Sequence, residues 1–326
     1  MVSQANVLIV LSPSNNPGGR LGRTLAERFP DLNINTAGHH SEAGPYIKDA
    51  QVLLTFGALI TDDTLRDAKA LKWIHVLGSG LDGVIGRPTL RDDVIVTNSH
   101  GLQAGPVSEA ALALMFALAR DVPKLVRHQA AQKWQRFAPV LLGGKTVCIV
   151  GVGAIAEVLA QKCAALGLRV TGVSASRASA PGFAHIYKRS DLTKAATESD
   201  FLVVLAPAAQ GTMGLINAEV LAAMRPTSYL VNAGRGGVVD EPALIAALEQ
   251  GAIAGAALDV TATEPLPQGH KLWSLPNVLI SPHLGGFHAQ VIEALLPLLE
   301  NNMRLFLNGE PARMANLISH STKGAA

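Results

Sequence analysis

Apolar runs of strand length alternate with apolar runs of helix length from one end of the sequence to the other. This alternation is typical of an α/β architecture with parallel sheets. In the first hundred residues, helices near 20–29 and 62–70 are interleaved with the predicted strands NVLIVL, LNIN, QVLLTF, KWIHVL and VIVTN. At 326 residues the chain is long enough for two domains, each with its own core.

A long helix is predicted near residues 106–130, and a second alternating series follows it. Six strands are predicted in that series: TVCIVG, RVTGVS, FLVVLA, SYLVNA, AGAALDV and NVLISP. From Ala289 to Pro311 the pattern is helical again, and the polar end SHSTKGAA is expected to fray. The fold class predicted is therefore α/β, with two parallel sheets.

Composition and charge argue against several functional classes. The chain is 48% hydrophobic and 16% charged, which favours packed domains over disorder. A net charge of +2 without any basic stripe predicts no nucleic-acid partner. No run reaches the length of a membrane span, and the N-terminal apolar run is interpreted as a strand and not as a signal peptide. Cys148 and Cys163 lie in apolar patterns and are predicted to be buried thiols. We expect a cytoplasmic protein with no metal site.

The segment Gly151-Val152-Gly153-Ala154-Ile155-Ala156 lies between the strand TVCIV and a helical pattern. Two glycines let a backbone turn there and approach a pyrophosphate at the positive end of the helix. A bare Gly-x-Gly-x-x-Ala is a weak signal, but a strand before it and a helix after it favour a dinucleotide site. Gly151, Gly153, Ala154 and Ile155 are the predicted contacts.

The next strand, RVTGV, ends on Ser174, where dinucleotide-binding units usually carry an acid that binds the cofactor ribose. A carboxylate would repel a 2′-phosphate, whereas the hydroxyls of Ser174 and Ser176 and the guanidinium of Arg177 would bind one. The alternative is an ordinary solvated loop. The missing acid and the added cation predict NADP(H) as the preferred cofactor, with NAD(H) left open.

Polar residues also follow three later strands, at the edge where open parallel sheets bind ligands. Arg235 follows SYLVNAG, Glu264 follows AGAALDV, and His283 follows NVLISP. Each has a structural alternative. Arg235 could cap a helix or pair with Asp240, Glu264 could face solvent, and His283 could be a buried histidine with its hydrogen bonds satisfied. Their convergence on one sheet edge predicts an active site.

Several strings together resemble the signatures of the D-isomer-specific 2-hydroxyacid dehydrogenase family. They run in order along nearly the whole chain: LKWIHVLGSGLDGV, ALALMFALAR, GKTVCIVGVGAIA, VNAGRGGVVDE, ALDVTATEPLP, LWSLPNVLISPHLGG and LFLNGEP. The resemblance implies two Rossmann-like or flavodoxin-like domains with the active site in the cleft between them. Residues 1–100 and 289–326 would form the substrate domain, and residues 101–288 the NAD(P)-binding domain. It also implies a homodimer built around the helix near 106–130.

The resemblance further implies a catalytic role for Arg235, Glu264 and His283 in the reduction of a 2-oxo acid. Arg235 would hold the substrate carboxylate and carbonyl in fork geometry. His283, as imidazolium, would protonate the carbonyl oxygen. Glu264 would hydrogen-bond the other ring nitrogen and raise the affinity of His283 for its proton.

Further positions match family contacts by resemblance. The backbone amides of Gly78, Ser79 and Gly80 would bind the substrate carboxylate. Asp259 and the Ala233 carbonyl would hold the nicotinamide amide, and Val107 and Pro207 would line the cofactor cleft.

Departures from the family pattern bear on the substrate. Ala208 and Ala209 stand where relatives usually have Leu-Thr, so contacts to the cofactor phosphates are expected to differ. No Arg or Lys lies near Thr55, where phosphoglycerate-type relatives carry an arginine. This absence disfavours a phosphorylated substrate. The resemblance to NADPH-preferring relatives that lack the ribose-binding acid implies glyoxylate or hydroxypyruvate as the substrate. Two alternatives stay open: a cofactor-sensing interaction protein resembling a corepressor, and a dehydrogenase of another small anion such as phosphite or formate.

Overall fold

The computed structural model describes residues 5–11, 17–57 and 60–320. Internal contacts divide the chain into two compact units. The first unit is Met1–Gln103 with His288–Ala326, and the second is Ala104–Phe287. The sequence predicts that residues 1–100 and 289–326 bind the substrate and that residues 101–288 bind the cofactor. These two roles stay predictions.

The first unit is built on a six-stranded sheet. Its strands are β1 (Asn6–Val10), β2 (Asn33–Ala37), β3 (Val52–Thr55), β4 (Trp73–Val76), β5 (Ile95–Asn98) and β13 (Leu317–Ile318). Their order is β13-β5-β4-β3-β1-β2, and β13 alone among the described strands pairs antiparallel. Its helices are α1 (Pro17–Arg28), α2 (Gly44–Ile47), α3 (Asp62–Asp67) and α10 (Val291–Leu307). Strands β3 and β4 are buried at every position, which explains their unbroken apolar sequences.

The predicted strands of the first unit are confirmed, but its C-terminal segment differs from the prediction. Helix α10 ends at Leu307, short of Pro311. The expectation that the polar end frays is wrong at its start, because a ring nitrogen of His320 lies 2.7 Å from the carbonyl oxygen of Val94. The antiparallel pairing of β13 with β5 brings His320 to that position. Residues 321–326 of the predicted frayed tail lie outside the described residues.

The second unit is built on a fully parallel sheet of seven strands. They are β6 (Thr146–Val150), β7 (Arg169–Ser174), β8 (His185–Lys188), β9 (Phe201–Val204), β10 (Tyr229–Asn232), β11 (Gly255–Leu258) and β12 (Val278–Ile280). Its helices are α4 (Ala104–Ala119), α5 (Val122–Ala130), α6 (Ala154–Ala165), α7 (Leu192–Thr197), α8 (Ala218–Ala223) and α9 (Glu241–Glu249). The sequence patterns miss β8, an edge strand in which only two of four residues are buried.

The strand order in the second unit is β12-β11-β10-β9-β6-β7-β8. The strands β6, β7 and β8 follow one another toward one edge of the sheet, and β9 to β12 follow one another toward the other edge. The order of the strands therefore reverses between β6 and β9. In open parallel sheets, ligands bind beyond the carboxyl ends of the strands at such a reversal. The topology places the dinucleotide segment after β6 at that point.

The single helix predicted near 106–130 is wrong, because the structure has two helices there. Helix α4 ends at Ala119, and Asp121 adopts a left-handed conformation with φ of 50°. Pro123 lies in the first turn of α5, where its missing N–H leaves no hydrogen bond unmade. The two helices also differ in burial: seven residues of α4 are buried, and none of α5 is.

Both cysteines are buried and free, as predicted. Burial raises the pKa of the Cys148 thiol and of the Cys163 thiol to about 12. Neither thiol is therefore a nucleophile near neutral pH. Within residues 5–11, 17–57 and 60–320, no helix combines the length and the apolar character that crossing a bilayer requires.

Candidate active site

His283 and Glu264 form a direct pair beyond the carboxyl ends of β11 and β12. The Nδ1 atom of His283 lies 2.7 Å from Oε2 of Glu264. This hydrogen bond raises the pKa of His283 above its usual range, against the opposing effect of burial. Burial alone would raise the pKa of Glu264, but the His283 hydrogen bond, the Thr261 amide and the charge of Arg235 together hold it below its usual range. The pair favours a charged imidazolium beside a carboxylate.

Asp259 fixes the loop that carries His283. Its carboxylate is 3% exposed and accepts hydrogen bonds from the Ser281 hydroxyl at 2.6 Å, the Leu284 amide at 2.9 Å and the Gly285 amide at 2.8 Å. His283 itself has a φ of 56°, a left-handed conformation that few residues other than glycine adopt. The buried carboxylate stabilises this strained turn. The predicted contact of Asp259 with a nicotinamide amide stays a prediction.

The loop that carries Glu264 is held from two sides. Within the loop, the Thr261 amide donates to Oε1 of Glu264 at 3.1 Å. From α9, Oε2 of Glu241 accepts from the Ala262 amide at 3.0 Å. Gly236, next to Arg235, lies so close that a Cβ there would come within 1.8 Å of the Thr261 carbonyl oxygen. The Arg235 and Glu264 loops are therefore in backbone contact.

Arg235 follows β10 on a loop fixed by a buried asparagine. Asn232 donates to the Arg235 carbonyl oxygen at 3.1 Å and accepts from the Gly234 amide at 3.1 Å. The Arg235 side chain makes no helix-capping hydrogen bond, and Asp240 caps α9 by accepting from the Ala243 amide. The charge of Arg235 lowers the pKa of both Glu264 and His283. All three predicted catalytic residues therefore lie at the same sheet edge and influence one another.

The segment after β6 has the geometry that a dinucleotide requires. Gly151 has a φ of 98°, and a Cβ there would lie 2.6 Å from the Ala206 amide nitrogen. Gly153 caps α6 without a side chain, and a Cβ there would meet no atom within 4 Å. The first amides of α6, from Ala154 and Ile155, have no acceptor within the helix. Open space before a helix N-terminus fits a pyrophosphate.

A cavity of about 250 Å³ adjoins this segment within the second unit. Its lining residues are Val150, Gly151, Val173, Ser174, Ala175, Ser176, Arg189, Ala206, Pro207, Ala209, Thr212 and Leu215. The Thr212 hydroxyl accepts from the Ala209 amide at 2.8 Å and so closes the loop in which Ala208 and Ala209 replace the family's usual residues. The cavity lies where the adenosine end of a dinucleotide would lie.

The three residues predicted to bind a 2′-phosphate, Ser174, Ser176 and Arg177, differ in their contacts. Oγ of Ser174 accepts from the amides of Ser176 at 3.3 Å and Arg177 at 3.1 Å, which forms a tight turn. Ser174 and Ser176 line the cavity. The side chain of Arg177 is instead paired with Glu157 in the first turn of α6, and Arg177 is not among the lining residues.

The remaining predicted positions fall in both units. In the second unit, Val107 is 9% exposed and lies 3.8 Å from where a Cβ of Gly285 would be, and Ala233 is buried directly after β10. In the first unit, the turn Gly78-Ser79-Gly80 follows β4. Asn98 donates to the Ser79 carbonyl oxygen at 2.8 Å, and the Ser99 amide donates to that of Gly78 at 3.0 Å.

Sequence reasoning missed three residues of the site: Arg189 in the cavity, Glu241 behind the Glu264 loop, and Asn232 under Arg235. Because strand β8 was not predicted, the sequence did not indicate that Arg189, which follows it, lies at the sheet edge. Glu241 and Asn232 lie within VNAGRGGVVDE, and the only signal was their nearness to Arg235 in the sequence.

A family model for the D-isomer specific 2-hydroxyacid dehydrogenase, NAD binding domain, matches residues 112–285. A D-3-phosphoglycerate dehydrogenase from Synechocystis sp. is 34% identical over 303 residues, which are 91% of this chain and 54% of that protein. A glyoxylate reductase from Pyrococcus furiosus is 33% identical over 281 residues, 83% of each chain. The chain thus spans about half the length of the phosphoglycerate dehydrogenase and most of the glyoxylate reductase.

Among solved structures, a D-isomer specific 2-hydroxyacid dehydrogenase from Xanthobacter autotrophicus Py2, in complex with NADPH and MES, matches with a TM-score of 0.79. It is 29% identical, and the match covers 96% of this chain and 98% of that one. The family model and the similarity to the glyoxylate reductase agree with the signatures in the sequence. The chain belongs to the D-isomer-specific 2-hydroxyacid dehydrogenase family.

Proposed function

We propose that this protein is an NADPH-preferring reductase of a small 2-oxo acid. The observation that carries the proposal is the 2.7 Å contact between His283 and Glu264, at the same sheet edge as Arg235 and in the same unit as the dinucleotide segment. A proton donor, a group that keeps it charged and a cation for a carboxylate are what 2-oxo acid reduction requires from the protein.

His283 supplies the proton. With Nδ1 held by Glu264, Nε2 carries the proton that passes to the carbonyl oxygen of the substrate. Glu264 keeps the ring in one orientation and favours the imidazolium. Arg235 binds the substrate carboxylate through its planar guanidinium, which matches a carboxylate in two parallel hydrogen bonds. A bound nicotinamide cofactor would supply the hydride, so that hydride and proton together convert the 2-oxo acid to the 2-hydroxy acid.

In this proposal the second unit binds the cofactor and the first unit binds the substrate carboxylate through the amides of Gly78, Ser79 and Gly80. Hydrogen bonds from Asn98 and Ser99 fix the carbonyls of that turn. Asp259 and the Ala233 carbonyl would meet the nicotinamide amide, and Pro207 and Val107 would pack beside the cofactor. The glyoxylate reductase of Pyrococcus furiosus supports glyoxylate as the substrate class.

The preference for NADPH is supported by the hydroxyls of Ser174 and Ser176, which line the cavity where an acid would disfavour a 2′-phosphate. A relative solved with NADPH also supports it. Thr55 is 1% exposed and donates to the Val10 carbonyl oxygen, so its hydroxyl is already engaged. Because the sequence has no Arg or Lys near Thr55, we propose an unphosphorylated substrate.

The test is a panel of 2-oxo acids, assayed with NADPH and NADH side by side. Glyoxylate, hydroxypyruvate, pyruvate and 3-phosphohydroxypyruvate would be compared by the rate of cofactor oxidation. We expect turnover of glyoxylate or hydroxypyruvate, faster with NADPH. Activity confined to the phosphorylated substrate would overturn the substrate class, and inactivity with every substrate would favour the cofactor-sensing alternative. Phosphite and formate oxidation would be measured in parallel.

We also propose that the protein is a homodimer, joined through α5 and the segment that follows it. Large apolar side chains are exposed there, with Trp134 93% and Leu141 72% exposed, beside Val122, Leu125 and Val126. An apolar surface of this kind is typical of an interface. Val126→Glu together with Trp134→Ser should give a monomer in light scattering, whereas Leu166→Glu, at an exposed position after α6, should not. A wild-type monomer would contradict the proposal.

A further inference from the structure

Two arginines lie near the hydroxyls of Ser174 and Ser176, and their surroundings differ. Arg177 is paired with Glu157, and both side chains are partly shielded, with 37% and 29% of their surface exposed. Arg189 lines the cavity together with both serines. Its Nη1 donates to the Gly211 carbonyl oxygen at 2.8 Å, and among the described residues it has no carboxylate partner. Arg177 is thus paired with a carboxylate, whereas Arg189 lines the cavity without one among the described residues.

The sheet register explains how Arg189 reaches this position. Strands β7 and β8 are parallel neighbours, and Ser174 lies opposite Lys188. Arg189 is therefore the first residue beyond the end of β8, beside the turn that Ser174 begins. The hydroxyl oxygen of Ser174 accepts two amide hydrogen bonds, so its own hydrogen is available for an acceptor in the cavity.

We infer that Arg189 is the principal cation for the 2′-phosphate of the cofactor, with the Ser174 hydroxyl as a second donor, and that Arg177 contributes less. This inference rests on the proposed NADPH preference and deepens it. A guanidinium with free N–H donors binds a phosphate through two parallel hydrogen bonds. Arg177 must first leave Glu157, whose negative charge also opposes a phosphate nearby.

The inference is tested without turnover, by calorimetric titration with adenosine 2′,5′-bisphosphate and with adenosine 5′-phosphate. The two probes differ only in the 2′-phosphate. Arg189→Ala should weaken binding of the bisphosphate by about 10- to 100-fold, since hydrogen bonds to charged groups contribute about 1.5–3 kcal/mol. Binding of the monophosphate should stay within about twofold of wild type, because this probe carries no 2′-phosphate for Arg189 to bind.

Two variants serve as comparisons. Arg177→Ala should weaken bisphosphate binding by less than about fivefold, the range of an exposed ion pair. Arg169→Ala removes an exposed arginine from the opposite end of β7 and should change neither affinity. Unfolding midpoints of all variants would be measured, so that a misfolded variant is recognised and replaced by Arg189→Gln.

Three results would overturn the inference: unchanged bisphosphate affinity in a folded Arg189 variant, an equal or larger loss in Arg177→Ala, or a wild type that does not distinguish the two probes. These binding results are independent of the reductase assay. If no 2-oxo acid is reduced but the wild type distinguishes the probes through Arg189, the proposed activity fails and this inference stands.

Discussion

The second unit presents two groups of polar side chains at one edge of its sheet, and they are held very differently. We call the residues after β10, β11 and β12 (Arg235, Glu264 and His283) the catalytic edge, and those after β7 and β8 (Ser174, Ser176, Arg177 and Arg189) the cofactor edge. The buried residues Asp259 and Asn232 hold the loops of His283 and Arg235, and the Thr261 amide holds the Glu264 side chain. The cofactor edge is held mainly by partly exposed contacts.

We infer from this contrast that the chemical step and the choice between NADPH and NADH depend on separate groups of residues in this protein. In the proposed mechanism, a change at the catalytic edge removes a group that acts in the chemical step. At the cofactor edge, a change alters charge in a loop that tolerates substitution. We therefore expect large, cofactor-independent losses at the first edge and smaller, cofactor-selective effects at the second.

The largest effect is expected for His283→Asn. Loss of the general acid should reduce kcat for 2-oxo acid reduction by about 10²- to 10⁴-fold, and by the same factor with NADPH and NADH. Steady-state rates at saturating cofactor would measure it. His185→Asn, at an exposed position on β8, is the matched control and should keep wild-type rates. A near wild-type rate in His283→Asn at pH 7 would contradict the assigned role.

Asp259→Asn should come next, because Asn keeps only one of the two acceptor oxygens and turns an NH2 group toward at least one of the three donors. We expect the unfolding free energy to fall by about 2–3 kcal/mol, and kcat by about 10²-fold as His283 shifts. Denaturant unfolding and steady-state kinetics would measure the two.

The matched control for that prediction is Asp200→Asn at the opposite end of the sheet, where Asp200 accepts from the Thr146 amide at 2.9 Å. This variant should lose stability but keep kcat. An Asp259 variant that loses stability while its kcat stays unchanged would show that the His283 loop is not positioned by this carboxylate.

A third prediction concerns pH. His283 must be protonated for reduction, and Glu264 raises its pKa. Reductase activity should therefore persist above the usual histidine pKa and decline as pH rises through the raised value. Glu264→Gln removes the raising interaction, so the alkaline decline should move to lower pH. Profiles of kcat/KM against pH would measure this, with Glu249→Gln as a surface control. An alkaline limb in the same place in Glu264→Gln would exclude His283 as the titrating group.

The smallest effect is expected for Glu157→Gln at the cofactor edge. Removing this charge releases Arg177 and lessens repulsion of a phosphate, so NADPH affinity should rise by roughly two- to fivefold, the range of a partly exposed ion pair. NADH affinity should change less. Fluorescence titration of both cofactors would measure the difference. A loss of NADPH affinity would mean that the Arg177–Glu157 pair is itself the binding arrangement.

Much of the fold could be predicted because buried parallel strands have continuous apolar sequences. Strand β8 could not, since an edge strand with exposed ends lacks that signal. The apolar pattern also continued through residues 106–130, although Asp121 and Pro123 end one helix and begin another. The ends of the predicted strands indicated that Arg235, Glu264 and His283 would lie at the sheet edge.

Loop conformation and side-chain pairing were beyond sequence reasoning. The 2.7 Å contact of His283 with Glu264 depends on a left-handed residue and on the backbone approach at Gly236. Similarly, the sequence pointed to Arg177 because it follows Ser174, but could not show that Glu157 on α6 would reach it. Both outcomes are decided by tertiary geometry and not by local pattern.

The separation of chemistry from cofactor choice is tested most directly by one kinetic comparison. Glyoxylate reduction would be measured in the wild type, His283→Asn and Arg189→Ala, each with NADPH and with NADH over a full range of cofactor concentrations. We predict that His283→Asn loses kcat equally with both cofactors, and that Arg189→Ala loses kcat/KM with NADPH while its kcat and its NADH kinetics stay near wild type. Unimpaired turnover in His283→Asn, or equal losses with both cofactors in Arg189→Ala, would contradict it.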